Sequence, residues 1–204
     1  MVMKHSTQAT AFIGCALAWS CTTSPPAGGP ATAAPTASAT AVASAPTTIS
    51  SAAAPAGADD LVGKPAPDFT ATAQDGSTVH LSALKGKAIV LYFYPKDETP
   101  GCTKEACSFR DAWEPIAKTG AVLIGVSADT TDSHKSFAAH YKLPFLLITD
   151  ADGGVGRSYG VPFKGHHARQ TFVIGPDGNV RKVYREVDVT VHAQQILGDL
   201  TRPI

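Results

Sequence analysis

Apolar residues run without a break through A-I-V-L-Y-F-Y at 88–94, a stretch rich in β-branched and aromatic side chains. That pattern predicts a strand covered on both faces, hence a central one. Beyond Pro100 and Gly101, the apolar positions Ala106, Phe109, Trp113 and Ile116 fall at helical spacing, and the pattern predicts one helix kinked near its end by Pro115. A second apolar run, A-V-L-I-G-V-S at 121–127, precedes a helical S-H-K-S-F-A-A-H-Y-K and a further strand, F-L-L-I-T at 145–149. Strand, helix, strand, helix, strand implies right-handed crossovers and parallel pairing. Q-T-F-V-I-G and N-V-R-K-V-Y-R-E then flank P-D-G, which predicts an antiparallel hairpin, and a helix from about Thr190 to Leu200 closes the chain. The reading is an α/β domain, with a mixed sheet flanked by helices in an order that fits the thioredoxin-like fold.

This domain occupies residues 59–204, the usual size for one core. The first twenty residues differ in kind: Lys4 and His5 precede the largely apolar A-T-A-F-I-G-C-A-L-A-W, then Ser20 and Cys21. Residues 1–20 read as an export signal, since the run is shorter than the roughly 20 apolar residues needed to span a bilayer. L-A-W-S-C resembles the lipobox of bacterial lipoproteins, although Ala18 stands where Leu is usual and Trp19 is bulky for its place. On that reading, cleavage leaves a lipidated Cys21 as the new N-terminus, on the periplasmic face of a bacterial membrane. The alternatives are ordinary secretion with cleavage nearby and a poorer lipobox ending at Cys15. From 21 to 58 the chain is almost entirely Ala, Thr, Ser, Pro and Gly, with no charged residue. Such a segment cannot bury enough apolar surface to offset its ordering entropy, and it reads as a disordered tether.

Charge narrows the function classes. With 17 basic and 17 acidic side chains the formal net charge is zero, so attraction to nucleic acid is not indicated. Cysteine usage is more telling. Four cysteines are present, at 15, 21, 102 and 107. The pair in P-K-D-E-T-P-G-C-T-K-E-A-C is too widely spaced for a C-x-x-C redox pair and has no second pair to complete a four-thiolate zinc site.

Cys102 falls where the central strand gives way to a helix, so backbone N–H groups and the positive end of the helix dipole face its sulfur and favour thiolate over thiol. Thr99, three residues earlier, brings a hydroxyl within reach of the sulfur or of a small oxygen-containing substrate. Pro95 and Pro100 restrict the loop. From residue types alone, a buried and inert cysteine remains the competing reading.

The same segment resembles the active-site loop of the peroxiredoxins, P-x-x-x-[TS]-x-x-C, and the second cysteine five residues on is similar to the bacterioferritin comigratory protein or peroxiredoxin Q group. The likeness runs from G-K-P-A-P-D-F at 63–69 to A-R-Q-T-F-V-I at 168–174. It implies a thioredoxin-like fold and an atypical two-cysteine thiol peroxidase that reduces hydrogen peroxide and organic hydroperoxides. Cys102 would be the peroxidatic cysteine, with Thr99 and Pro95 completing its loop. Arg169 would lie beside the sulfur, with Glu105 holding it, and Cys107 would be the resolving cysteine. A Cys102–Cys107 disulfide would then be re-reduced by a thioredoxin-like dithiol. No cofactor or metal is implied, no nucleic acid is expected as a partner, and a monomer is expected.

His166 and His167 are adjacent, and neighbouring side chains on an extended segment point apart, so at most one of them is expected near the site. D-A-D-G-G at 150–154 reads as a turn, with too few carboxylates for an EF-hand loop. The rival readings are an extracytoplasmic copper-binding protein, a thiol-disulfide exchange protein of the same fold, and a tethered binding module with a structural disulfide.

Overall fold

The computed structural model describes residues 61–202. The expected signal, the tether and Cys21 lie outside the described residues. The described chain opens with a short antiparallel hairpin, β1 (Thr70–Thr72) and β2 (Thr78–His80), and a 3₁₀ turn at Leu81–Leu84. There follow β3 (Ile89–Phe93), α1 (Pro100–Asp111), α2 (Trp113–Lys118), β4 (Val122–Ser127), α3 (Thr131–Tyr141) and β5 (Leu146–Thr149). The chain continues through α4 (Gly154–Ser158), β6 (Gln170–Ile174), β7 (Val180–Tyr184) and α5 (His192–Thr201). Among the described residues, no helix is long and apolar enough to cross a membrane.

The five-stranded sheet has the order β5-β4-β3-β6-β7, with β3 at its centre as its pattern predicts. β3, β4 and β5 are parallel, while β6 runs antiparallel to β3 and β7 antiparallel to β6. Every residue of β3 is buried, because its two faces enter two cores. Ile89, Leu91 and Phe93 join Phe172, Ile124 and Tyr159 on one side. Val90 and Tyr92 join Phe109, Ile116, Phe137, Ala193 and Ile196, which come from α1, α2, α3 and α5, on the other. Strand alternation in a fully apolar run thus builds a three-layer sandwich.

One expectation is corrected. The single helix kinked at Pro115 is two helices, and the break lies at Ala112 (φ −91°, ψ 5°). Proline lacks the N–H that would bond the carbonyl four residues back, and its ring crowds that same carbonyl, here Asp111. The interruption therefore precedes the proline, which sits in the first turn of α2, where a missing donor costs least. The hairpin β1–β2 and the short α4 were not anticipated. Both are too short to display a period.

Gly125 on β4 stands opposite Tyr92 on β3. A Cβ there would lie 2.7 Å from the Tyr92 hydroxyl and 2.7 Å from Leu147 Cδ2, well inside contact distance. Gly125→Ala is expected to destabilise the reduced protein by about 1–3 kcal/mol through overpacking. Urea denaturation would show it, and an unchanged midpoint would mean that this layer is looser than described.

Candidate active site

The site is assembled at the C-terminal end of β3. Tyr94 N–H still bonds the Val126 carbonyl (3.0 Å), but Pro95 has no N–H to offer, and the chain leaves the sheet. Pro100 occupies the first turn of α1, where its fixed φ suits a helix start. Thr103 N–H makes a helical bond back to the Thr99 carbonyl (2.8 Å), so Cys102 belongs to the turn whose own N–H groups precede that bonding. Cys102 is buried, 2% exposed.

Arg169 arrives from a distant part of the sequence by strand register. Gln170, the first residue of β6, pairs with Phe93, the last of β3. Arg169 therefore precedes the sheet at the level where β3 becomes the loop. Its Nη2 donates to Cys102 Sγ at 3.2 Å, and its Nη1 donates to Glu105 Oε2. Cys102 and Glu105 are three apart on α1 and so share a face, which lets one planar guanidinium serve both. Gly101 lies against the same guanidinium, where a Cβ would sit 3.4 Å from Arg169 Nη2, an ordinary contact.

The partners of this pair respond differently to burial. Glu105 is 1% exposed, and burial pushes its carboxyl from an ordinary 4.5 up to about 7, with the Arg169 charge and hydrogen bond opposing the rise. Burial acts to lower Arg169, yet Glu105 and Cys102 outweigh it and hold the guanidinium more firmly charged. Tyr92, beneath the site, is driven well above its ordinary value by burial first and then by Glu105, Asp97 and Cys102. A buried sulfur and a buried carboxyl poised near neutrality are thus packed against one permanent, partly exposed cation.

Of the other expected residues, Thr99 donates its hydroxyl hydrogen to the Lys96 carbonyl (2.9 Å), leaving the oxygen's lone pairs open. Pro95 is half-buried, four residues earlier in the same loop. Cys107 is half-buried on α1, and both cysteines are free. His166 is exposed, lining an open groove with Pro95 and Lys96. His167 is fully buried with Nε2 3.1 Å from Asp150 Oδ2, so the two histidines do point apart. D-A-D-G-G is a turn leading into α4, with Asp150 accepting from the Val155 and Gly156 N–H groups. Among the described residues no three His, Cys, Asp or Glu side chains come together as a metal set. Residue pattern does not single out Asp97, Ser133 or His134, which the fold gathers beneath the same loop. The available signal was a charged residue held between a buried strand and a helix start.

The raised Glu105 value has a stability consequence of definite sign. A carboxyl whose folded-state pKa exceeds its unfolded one stabilises most below about 4.5, and that contribution is lost as pH rises to about 7. Glu105→Gln removes this titration while the other carboxylates titrate in both proteins. The stability of Glu105→Gln relative to the native chain should therefore climb between pH 4.5 and 7 in urea denaturation of the reduced proteins. A pH-independent difference would contradict the buried, desolvated state of Glu105.

The model of the AhpC/TSA family matches residues 62–183. A peroxiredoxin bcp of Coxiella burnetii is 44% identical over 148 residues, covering 68% of this chain and 97% of its own. Chloroplastic peroxiredoxin Q of Triticum aestivum is 52% identical over 121 residues, covering 58% of this chain and only 56% of that longer protein. Among solved structures, peroxidoxin BcpB of Mycobacterium tuberculosis superposes with a TM-score of 0.65 at 36% identity, covering 70% of this chain and 99% of that one. Xanthomonas campestris peroxiredoxin Q gives 0.62 at 34% identity, covering 65% and 89%. The family model and these relatives place the chain, with its strand-end cysteine under an arginine fork, in the AhpC/TSA family, within its peroxiredoxin Q and bacterioferritin comigratory protein group.

Proposed function

We propose that Cys102 is the peroxidatic residue of a thiol peroxidase acting on hydrogen peroxide and organic hydroperoxides. The observation that carries the assignment is the Arg169 guanidinium, which reaches Cys102 Sγ at 3.2 Å while anchored on buried Glu105. A cation fixed there before substrate arrives can stabilise both the thiolate and the negative charge that develops on the departing oxygen. Thr99, its hydrogen committed to Lys96, can accept the peroxide O–H and help align the O–O bond with the sulfur. Sulfur attacks the nearer oxygen, the O–O bond breaks, and hydroxide or alkoxide leaves to be protonated. Cys102 becomes a sulfenic acid.

Cys107 then attacks that sulfur, forming an S–S bond and releasing water, which protects Cys102 from further oxidation. A thioredoxin-like dithiol returns both thiols. Cys102 and Cys107 share α1, and on a regular helix residues five apart have Cα atoms about 8–9 Å apart, pointing in different directions. A disulfide needs Cα atoms within about 7 Å. The first turns of α1 must unwind for the second step.

Export and lipidation at Cys21, with residues 21–58 as a tether and 59–204 as a monomeric enzyme on the periplasmic side of a membrane, complete the proposal. Its support is the residue pattern of 1–58. Several acyl chains would hold such a protein firmly, whereas one alone binds marginally.

Cys102→Ser should abolish peroxide reduction, and Cys107→Ser should consume one equivalent and stop as sulfenic or more oxidised sulfur, as read by mass spectrometry. Turnover by Cys102→Ser would refute the assignment. In the Cys102–Cys107 disulfide form, backbone amides from Thr103 to Arg110 should exchange with solvent much faster than in the reduced form, while Ile89–Tyr92 stay protected. Equal protection in both forms would show that resolution does not require α1 to open.

Fatty-acid labelling of the native chain and of Cys21→Ala should give label only in the first. Equal labelling would exclude Cys21 as the attachment point.

A further inference from the structure

Two residues before Thr99, Asp97 is a carboxylate only 4% exposed, with partners drawn from three separate segments. The Tyr94 hydroxyl, at the end of β3, donates to its Oδ1 at 2.7 Å. The Ser133 hydroxyl, on α3, donates to Oδ2 at 2.7 Å, and His134 Nδ1 lies 2.9 Å from the same oxygen, a distance that fits an Nδ1–H donor. The backbone N–H of Asp97 donates to Asp129 Oδ2 at 2.9 Å, and Ser127 Oγ, at the end of β4, donates to that same oxygen at 2.8 Å. Burial works against the Asp97 anion, yet the bonds from His134, Ser133 and Tyr94 keep its carboxyl below the ordinary value.

Thr99 is bonded to α1 through its carbonyl, which accepts the Thr103 N–H, but its side chain has no comparable anchor. The one bond its hydroxyl makes is to Lys96, within the same loop. Between Asp97 and Thr99 stands Glu98, whose φ of 58° is unfavourable for a residue with a Cβ and persists only where its surroundings impose it. On the outer side, Glu98 is held by an exposed contact with His140 (3.1 Å) and by the Tyr141 hydroxyl, both near the end of α3. The Thr99 side chain therefore lies between the start of α1, to which its carbonyl is bonded, and the Glu98 bend, whose buried side is fastened at Asp97.

We infer that Asp97, with Tyr94, Ser133 and His134, is a positioning residue for peroxide reduction, acting through Thr99 rather than on the sulfur. The inference rests on the reading of Cys102 as a peroxidatic thiol. Asparagine in place of Asp97 keeps the shape and one acceptor oxygen, but it turns an amide N–H₂ toward donors that need an acceptor. The loop is expected to shift and Thr99 to lose its alignment, in a reaction where small displacements are costly.

A double-mutant cycle on the reduced full chain tests this, using single-turnover oxidation of Cys102 by hydrogen peroxide followed by mass spectrometry, so that slow variants stay measurable. Asp97→Asn should slow oxidation by about tenfold or more in the native background, but less than about twofold when Thr99→Val is already present. Ser133→Ala, which removes one donor and is milder for folding, should give a smaller loss that likewise vanishes in the Thr99→Val background. Losses that multiply across the two backgrounds, a normal rate in Asp97→Asn, or an unaffected Thr99→Val protein would each overturn the role for Asp97 alone. A native chain inert to peroxide would instead remove the peroxidase reading and this inference with it.

Discussion

The two-pronged contact of Arg169 is the constraint on which the rest of the site depends. One nitrogen is spent on the sulfur and another on a buried carboxyl three residues along the same helix face. A guanidinium is suited to this because its donors are coplanar and its charge is permanent, whereas a lysine could offer only a point charge. The contact exists because β6 is antiparallel to β3 and in a register that brings residue 169 to the end of the strand that delivers residue 102. Shifting that register by one residue would turn Arg169 to the opposite face. The sheet is thus more than a support for the loop, since it measures the distance between cation and thiol.

Glu105 shows what this arrangement costs. A carboxyl buried to 1% exposure would ordinarily be expelled or neutralised, and here burial carries it to about 7 even with a cation beside it. Its retention is explained by orientation: without a partner on α1, the fork would swing freely and only one prong would meet the sulfur. On the proposed mechanism, stability is surrendered so that the charge is in place before peroxide arrives, the usual exchange at sites that work by preorganisation.

What the residue pattern disclosed and what it withheld divide along physical lines. Long apolar runs such as 88–94 and 121–127 carry their own period, so the central strands, the crossover helices and the final hairpin were legible. Cys102, Thr99, Pro95 and Cys107 lie within one short segment and were visible as a local motif. Arg169 and Glu105 were proposed only through family resemblance, because nothing local ties the residue before β6 to one of α1. The Asp97 cluster escaped notice for the same reason, its members lying at 94, 97, 133 and 134 on separate elements. Pro115 was read correctly as a breaker but placed the interruption too late, since the steric conflict acts on the preceding turn.

The two sides of Cys102 are built for opposite behaviour. On its N-terminal side, the loop from Tyr94 to Thr99 is braced internally and tied to α3 and to Asp129 just beyond β4 by buried or partly buried, charge-assisted bonds, which are the strong ones. On its C-terminal side, α1 begins with Pro100 and Gly101 and carries polar Thr103 and Lys104 in its first turns. Those turns hold few apolar side chains apart from Cys102 and Ala106, and Phe109 anchors the helix only further along. On the proposed mechanism, peroxide reduction needs Thr99, Cys102 and Arg169 held still, whereas disulfide formation needs Cys102 to travel toward Cys107. A stiff loop joined to a helix start that opens at modest cost meets both demands, because movement can begin at residue 100 without disturbing the hydroxyl at residue 99. On this view, the stretch P-K-D-E-T-P-G-C-T-K-E-A-C is a hinge with one side fastened, and Asp97 is the fastening.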